Sequence, residues 1–196
     1  MPQIFATSTW TMKSFLRRAA TASQKSNLKQ VTEVVICIGN EAGDADSIIS
    51  SMCMAYLRQA QASSTAESTA ENKVYLPIIA VERKDLSLRR DVELLLGYAD
   101  ISFTDVLCID ECNFAALRST CPLSFILLDH NELSSRTADH IGHDGGFNII
   151  EILDHHREVP GAHPECRGQF RNIAFDEELG VPEVLYLMLS CLLSGS

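Results

Sequence analysis

The residues best suited to chemistry are acids and imidazoles that follow short runs of valine, isoleucine and leucine. They are Asp44, Asp46, Asp129, Asp154, His155 and His156. Carboxylate oxygen and imidazole nitrogen suit Mn²⁺ or Mg²⁺, whereas a closed structural zinc site prefers cysteine and histidine. Two such cations can activate a water and stabilise both oxygens of a phosphoryl displacement. The sequence therefore predicts metal-dependent hydrolysis of a phosphate ester or anhydride.

The apolar runs that precede these residues predict the strands that position them. Residues 34 to 38, 125 to 128 and 149 to 153 have the composition of strands buried on both faces. Two further strands are predicted at 74 to 81, where Pro77 indicates an edge, and at 106 to 109. Since ligands bind at the carboxyl ends of parallel strands, the three acidic loops are expected to meet there.

Helical patterns alternate with these strands. One begins near Ser47, one carries Val92, Leu95 and Leu96 on a single side, and a short one covers residues 114 to 117. Residues 63 to 72 have the composition of a surface loop. The alternation predicts an α/β fold, a three-layer αβα arrangement around a mostly parallel central sheet.

Composition limits the class of protein. The 196 residues suit one globular domain, with 46% hydrophobic and 21% charged residues. A net charge of −10 argues against a nucleic-acid footprint, although bound cations can reverse the sign at an acidic site. The longest apolar run, residues 184 to 193, is too short to span a membrane and predicts a core helix. The seven cysteines form no CxxC pair and indicate reduced thiols in an intracellular, cytoplasmic protein.

The amino-terminal segment, residues 1 to 32, contains lysine and arginine but no acidic residue. That bias is typical of a mitochondrial targeting segment. It is equally compatible with a helix packed on the domain through Trp10, Phe15 and Leu16, and we favour the packed helix.

Each candidate residue also has a simpler explanation. Asp44 or Asp46 could cap the helix near Ser47, Asp129 could form a turn, and His156 could be a surface histidine. Their joint occurrence at three strand ends favours a metal site. The other histidines lack that context and are expected to be structural or exposed: His130, His140, His143 and His163.

A phosphorylated substrate also needs cationic contacts from the protein. His156 is the best placed, and a basic cluster forms a second set: Arg83, Lys84, Arg89 and Arg90. Asp85 and Asp91 are local partners that could instead make this cluster an ordinary solvated helix start.

These residues resemble the motifs of the DHH phosphoesterase superfamily. The segment GNEAGDADS, residues 39 to 47, is similar to the GNExxDxDS form of the eukaryotic exopolyphosphatase and prune branch. Family II inorganic pyrophosphatases are similar but carry histidine where Asn40 stands. The segment LDHNE, residues 128 to 132, resembles the second motif, and Asp154-His155-His156 the third. The resemblance covers about residues 31 to 160.

The resemblance implies specific roles. Asp44, Asp46, Asp129 and His155 would hold two Mn²⁺ or Mg²⁺ ions, with Asp129 bridging. His156 would contact phosphate, Asp154 would orient the histidines, and Asn40 would weaken or alter the ligand set of the first metal. Arg89 and Arg90 are the further candidates for substrate binding. The implied substrate is linear polyphosphate, cut from its end to release orthophosphate, with pyrophosphate or nucleotide phosphates as lesser possibilities.

The carboxyl-terminal part departs from the family pattern. Members carry a further bridging aspartate after a Gly-Ser-rich segment, and then a DHHA2 domain that closes over the substrate. We expect a DHH domain at 33 to 180, an atypical tail at 181 to 196 and no DHHA2 domain. With a ligand and the lid missing, we expect weak metal binding and poor turnover.

Two other functions are compatible with the motifs. One is a DHH-type nucleotide phosphodiesterase, against which the acidic charge and the GNE segment argue. The other is a catalytically weak binding or regulatory module whose surface serves a protein partner. Metal titration followed by hydrolysis assays on polyphosphate, pyrophosphate and cyclic dinucleotides discriminates among these functions.

Overall fold

The computed structural model describes residues 10–24, 28, 30–64, 72–142 and 147–173. A five-stranded parallel sheet forms its centre, and its strands lie in the order β2-β1-β3-β4-β5. The strands are β1 (Glu33–Ile38), β2 (Lys73–Ile78), β3 (Leu123–Leu128), β4 (Phe147–Asp154) and β5 (Arg171–Ile173). Helices flank this sheet, so the predicted three-layer α/β fold is confirmed.

The helices are α1 (Met12–Ala22), α2 (Ala45–Ser64), α3 (Arg83–Leu86), α4 (Arg90–Tyr98), α5 (Phe114–Arg118) and α6 (Ser135–Ile141). Among the described residues, three short 3-10 turns lie at Phe103–Asp105, Ile109–Glu111 and Gly168–Phe170. Helix α2 begins two residues before the predicted start and continues through Ser64, so the predicted loop at 63 to 72 starts later than expected. Residues 65 to 71 of that loop lie outside the described residues.

The central strands are buried along almost their whole length. Every residue of β3 is buried, and so is every residue of β1 after Glu33. They pair in register from Val34 with Leu123 to Ile38 with Leu127. Continuous valine, isoleucine and leucine runs suit strands covered on both faces, which is why these two could be predicted from the sequence.

Strand β2 lies at the edge of the sheet, as its proline indicated, but it ends at Ile78 instead of residue 81. The strand predicted at 106 to 109 is wrong. Only Cys108 forms a bridge there, beside Ile79. The Glu111 carboxylate accepts a hydrogen bond from the Cys108 amide (3.0 Å), and the chain turns into a 3-10 helix before a second pair can form.

Strand β4 contains a β-bulge. Phe125 pairs with Ile149, but the next residue of β3, Ile126, pairs with Glu151. Ile150 is therefore an extra residue in β4, and the buried positions change phase across it, from Ile149 to Ile152 and Asp154. Such bulges re-aim the side chains that follow them.

Helix α4 differs from its prediction at one position. Val92 and Leu96 are buried, but Leu95 is 44% exposed. Residues 95 and 96 both neighbour residue 92 on the helix surface, but the core covers only the side that carries Val92 and Leu96, and Leu95 lies at its margin next to solvent. The short helix expected at 114 to 117 is present as α5, with Phe114 and Leu117 buried.

The helix expected within residues 1 to 32 is α1, and it packs into the core. Phe15 is fully buried, with its ring edge-on to Tyr56 at 5.5 Å between centroids. The Tyr56 hydroxyl donates to the Trp10 carbonyl at 2.7 Å. At the other end of the contact, Arg17 pairs with the buried carboxylate of Asp105 at 2.6 Å. These contacts join α1 to α2 and to the 3-10 turn that contains Asp105.

Within the described ranges, no helix combines the length and apolar character needed to cross a membrane. The described cysteines are all free thiols, five of them buried. Cys191 and the apolar run predicted as a core helix at 184 to 193 lie outside the described residues. The cytoplasmic location and the mitochondrial alternative stay predictions.

We predict that Phe15→Ala destabilises the protein by about 3–5 kcal/mol, because a buried aromatic ring is replaced by a cavity. Leu95→Ala, at an exposed helical position, is the control and is expected to change stability by less than about 1 kcal/mol. Urea unfolding followed by tryptophan fluorescence measures both values. A loss below about 1 kcal/mol for Phe15→Ala would show that α1 contributes little to the core.

Candidate metal centre

The predicted acidic loops meet at the carboxyl edge of the sheet. Strands β1, β3 and β4 are neighbours there. In the part of the chain that the structure describes, their loops carry two groups of side chains that could hold a metal ion: Asp44, Asp46 and Asp129, and Asp129, His155 and His156. Within each group the ligand atoms lie within 4.8 Å of one another. Asp129 belongs to both groups, so it lies at the centre of the site.

The loop after β1 depends on two glycines. A Cβ on Gly39 would lie 2.6 Å from the Ser47 carbonyl oxygen, so the chain could not pass that close with a larger residue. Gly43 has a φ of +60°, and a Cβ there would lie 2.1 Å from Val81 Cγ2. The loop then enters α2 through Asp44, whose Oδ1 accepts from the Ser47 amide at 3.3 Å. Asp44 therefore caps the helix while its other oxygen remains available to a metal.

Asn40 connects this loop to Asp129. Its side-chain amide donates to Asp129 Oδ2 at 2.7 Å and to the Asp129 carbonyl at 3.2 Å. Its own oxygen accepts from the amides of Ala42 at 2.9 Å and Gly43 at 3.3 Å. The structure thus places Asn40 where it fixes both the glycine loop and the central carboxylate.

Asp129 is 1% exposed and has a φ of +64°, a left-handed conformation that aspartate tolerates better than most residues. Its amide donates to the Leu153 carbonyl at 2.8 Å, which ties it to the end of β4. Oδ2 accepts from Asn40 and from the Ser47 hydroxyl at 2.8 Å. Oδ1 faces His155 Nε2 at 2.8 Å. Each side of the carboxylate therefore has a defined partner.

The clustered carboxylates repel one another. Burial raises the pKa of Asp46, and the adjacent Asp44 raises it further. Burial also raises the pKa of Asp129; the Ser47 hydrogen bond opposes this, while the charges of Asp46 and Asp44 add to it. A divalent cation would offset this repulsion, and the donor set of carboxylate oxygens with imidazole fits Mn²⁺ or Mg²⁺. The arrangement can therefore hold a metal ion.

The two histidines of the third motif differ in their nearest partners, although His156 Nδ1 also lies 3.6 Å from Asp129 Oδ1. His155 lies between carboxylates, with Nε2 2.8 Å from Asp129 Oδ1 and 3.7 Å from Asp46 Oδ2. His156 Nδ1 lies 2.8 Å from Asp154 Oδ1, whose oxygen also accepts from the His156 amide at 3.1 Å. The structure therefore shows Asp154 oriented toward His156, whereas His155 is directed to Asp129 and Asp46.

Electrostatics favour a charged His156. Burial alone would lower its pKa, but the hydrogen bond with Asp154 and the charge of Asp129 outweigh burial, and the pKa of His156 is raised. Burial would raise the pKa of Asp154, but hydrogen bonds from His156 and Asn131 lower it below its ordinary value. With Nδ1 held by Asp154, the Nε2 atom is the ring nitrogen available to a ligand.

Two residues of the site received no role from the sequence. Ser47 donates to Asp129 and accepts from the Asn40 amide at 2.9 Å. Asn131 donates to Asp154 and to the Arg157 carbonyl (3.2 Å), and accepts from the Val159 amide at 2.8 Å. Ser47 lies in the segment GNEAGDADS and Asn131 in LDHNE, and this position within the motifs is the sequence feature that could have assigned them to the site.

The two arginines predicted to bind substrate differ. Arg89 lies against the glycine loop, with Nε 3.6 Å from the position of a Cβ on Gly43. Arg90 lies at the start of α4, where it is 80% exposed and pairs with Glu93 at 2.6 Å. The structure thus brings Arg89 to the first motif, whereas Arg90 is directed to its own helix.

The described histidines outside the motif have structural contacts. His130 is half-buried with Nδ1 2.9 Å from the Leu128 carbonyl, and His163 Nε2 accepts from the Leu133 amide at 3.2 Å. His140 is on α6, and its Nε2 atom lies 3.6 Å from Glu82 Oε1. His143 lies outside the described residues.

Comparison with known proteins agrees with this arrangement. Residues 34–188 match the family described as DHH family, N-terminal domain. The chain is 29% identical over 193 residues to human exopolyphosphatase PRUNE1, an alignment that covers 94% of this chain and 39% of that protein. The rat protein of the same name is 28% identical over 194 residues, with 94% and 38% covered.

A yeast protein is also similar. The putative exopolyphosphatase of Schizosaccharomyces pombe is 27% identical over 151 residues, which cover 77% of this chain and 34% of that protein. The chain thus spans about two fifths or less of the length of these curated relatives. Because the family match extends over most of the chain and includes all three acidic loops, the protein belongs to the DHH family, in which it matches the N-terminal domain.

Proposed function

We propose that this site hydrolyses phosphoanhydrides and releases orthophosphate from polyphosphate, with pyrophosphate as a second substrate. The observation that carries the proposal is the convergence of Asp44, Asp46 and Asp129 with His155 and His156 at one edge of the sheet. The names of the human and yeast relatives support polyphosphate as the substrate class. Phosphate esters of nucleotides fit the same donor side chains. The human and yeast relatives are named exopolyphosphatases, and these names favour a phosphoanhydride substrate.

The carboxylates and His155 would hold the metal. When bound, Mn²⁺ or Mg²⁺ supplies an activated water at neutral pH and withdraws electron density from the phosphoryl oxygens. Asp129 can serve both groups of ligands because its carboxylate faces His155 through Oδ1 and the first-motif loop through Oδ2. Asn40 and Ser47 keep that carboxylate in one orientation, so little reorganisation accompanies binding.

His156 would donate a hydrogen bond to a phosphoryl oxygen and pass its one proton to the leaving-group oxygen. Asp154 accepts a hydrogen bond from Nδ1–H and raises the pKa of the ring, so Nε2–H is available as a charged donor. A charged donor gives short, strong hydrogen bonds to phosphate. Asn131 holds Asp154 from the opposite side, which keeps the imidazole in its position.

Two other outcomes remain distinguishable by assay. Hydrolysis of cyclic dinucleotides in preference to polyphosphate would indicate a nucleotide phosphodiesterase. Mn²⁺ binding without hydrolysis of polyphosphate, pyrophosphate or cyclic dinucleotides would indicate a binding or regulatory module. Orthophosphate release from polyphosphate supports the proposal, provided that EDTA stops the release and Mn²⁺ restores it.

We predict that Asp46→Asn weakens Mn²⁺ binding by more than about tenfold, because it removes one negative charge from the ligand group. Asp46 is preferable to Asp129 for this test, since Asp129 also anchors Asn40 and Ser47. Isothermal titration calorimetry measures the affinity, with Asp91→Asn on the exposed side of α4 as the charge-matched control. Equal Mn²⁺ affinities for Asp46→Asn and Asp91→Asn would be incompatible with a metal ligand at Asp46.

A second variant, His156→Gln, is expected to lower orthophosphate release from polyphosphate by about a hundredfold, since it removes a charged proton donor. Its Mn²⁺ affinity should stay within about threefold of the unsubstituted chain, a difference well under 1 kcal/mol. His140→Gln, which lies beside Glu82, is the matched control for both measurements. If His156→Gln loses Mn²⁺ affinity as Asp46→Asn does, His156 is a metal ligand and its proposed role is wrong.

A further inference from the structure

Arg89 is unusual among the basic residues. Within the described ranges, every other lysine and arginine has a hydrogen-bonding or electrostatic partner, whereas the Arg89 side chain forms neither an ion pair nor a hydrogen bond. Its Nε atom is buried and lacks an acceptor there. A buried donor without a partner is costly and is rare in native proteins unless a ligand or water completes it. The positive charge of Arg89 therefore has no partner among the described residues.

The other residues of the basic cluster, together with Arg136 beside Glu82, show the contrast. Each is held by a carboxylate of the protein: Arg83 by Glu111 at 2.5 Å, Lys84 by Glu82 at 2.7 Å, Arg90 by Glu93 at 2.6 Å, and Arg136 by Glu82 at 3.0 Å. The sequence does not distinguish the members of the basic cluster, but the structure shows that only some of them are paired with a carboxylate. One guanidinium remains free to bind an anion, and it is the one that packs on the first-motif loop.

The position of Arg89 along the sheet edge suggests which part of a ligand it meets. Arg89 follows β2, Asp44 follows β1, Asp129 follows β3 and His156 follows β4, and these strands are consecutive in space in that order. Arg89 itself lies against Gly43, in the loop after β1. Neighbouring strands lie about 4.8 Å apart, so β1 and β4 are about 10 Å apart. The two cationic groups therefore flank Asp129, with Arg89 on the side of the first-motif loop and His156 on the β4 side.

A ligand with a single phosphoryl group is too short to use both flanks. An extended phosphoanhydride that lies along the edge can place its reacting group at the carboxylates and a more distant group at Arg89. Guanidinium is suited to this task because its planar fork binds two phosphoryl oxygens at once.

We propose that Arg89 binds a phosphoryl group beyond the one at the metal ligands and thereby selects substrates with several phosphoryl groups. This inference rests on the proposed function, because it assigns the ligand of the same site. Arg89 is a specificity-determining residue: it increases affinity for tripolyphosphate and longer chains and contributes little to orthophosphate or to phosphate monoesters.

The test compares two ligands of different length on the Mn²⁺-loaded chain. The long probe is the methylene-bridged analogue of tripolyphosphate, which resists hydrolysis, and the short probe is methylphosphonate. Arg89→Gln should weaken binding of the long probe by about ten- to hundredfold, the range expected for hydrogen bonds to a charged group. Binding of methylphosphonate should change by less than about threefold. Arg90→Gln, one residue away and paired with Glu93, is the matched control and should alter neither.

The outcomes separate this inference from the proposed function. An equal loss for both probes in Arg89→Gln would place Arg89 at the reacting group and overturn the inference, and unchanged binding of both would also overturn it. If the Mn²⁺-loaded protein with Arg89 intact binds neither probe, the proposed function fails, and the inference fails with it.

Arg89→Lys controls for a structural effect on the glycine loop. It keeps the charge but lacks the fork, so it should recover part of the affinity for the long probe while Mn²⁺ affinity and melting temperature match those of Arg89→Gln. A fall in Mn²⁺ affinity together with melting temperature in both variants would show that Arg89 supports the loop, against the inference.

Discussion

The site depends on the carboxylate of Asp129. It is buried, its backbone is left-handed, and its oxygens contact side chains from the loops that follow β1 and β4. A buried carboxylate is tolerated only where hydrogen bonds or charges stabilise it, so Asn40, Ser47 and His155 must all be in position. The amide of Asp129 adds a fourth connection, to the Leu153 carbonyl. Three loops are thereby held to one side chain, and the remaining ligands take their positions relative to it.

The parts of the fold that the sequence predicted are those governed by local composition. The strands before Asp44, Asp129 and Asp154 are continuous apolar runs, and parallel pairing then brings their carboxyl ends together. The predicted strand at 106 to 109 was wrong because one hydrogen bond from Cys108 to Glu111 turns the chain. Leu95 was misplaced because helical periodicity does not indicate how wide the buried side of a helix is.

The contacts that the sequence could not reveal connect residues far apart in the chain. Ser47 is 82 residues from Asp129, and Asn131 is 23 residues from Asp154. Serine and asparagine are common at helix starts and turns, so their types alone gave no reason to assign them to the site. The difference between Arg89 and Arg90 is of the same kind. The two residues are adjacent and identical in type, but within the described part of the chain Arg90 has a carboxylate within reach and Arg89 does not.

The bulge at Ile150 has a consequence for how this site can change in evolution. In a regular strand, a residue's side of the sheet is fixed by counting in twos, and a shift of one exchanges the sides. The extra residue in β4 means that the orientation of Asp154, and hence of the histidines after it, is determined four positions upstream in an apolar segment with no chemical role. Loss of a single residue there would leave every motif unchanged in the sequence and yet turn Asp154, together with the histidines that follow it, to the opposite side of the sheet and away from Asp129. The third motif therefore depends on the number of residues in β4 as well as on the identity of its own three residues.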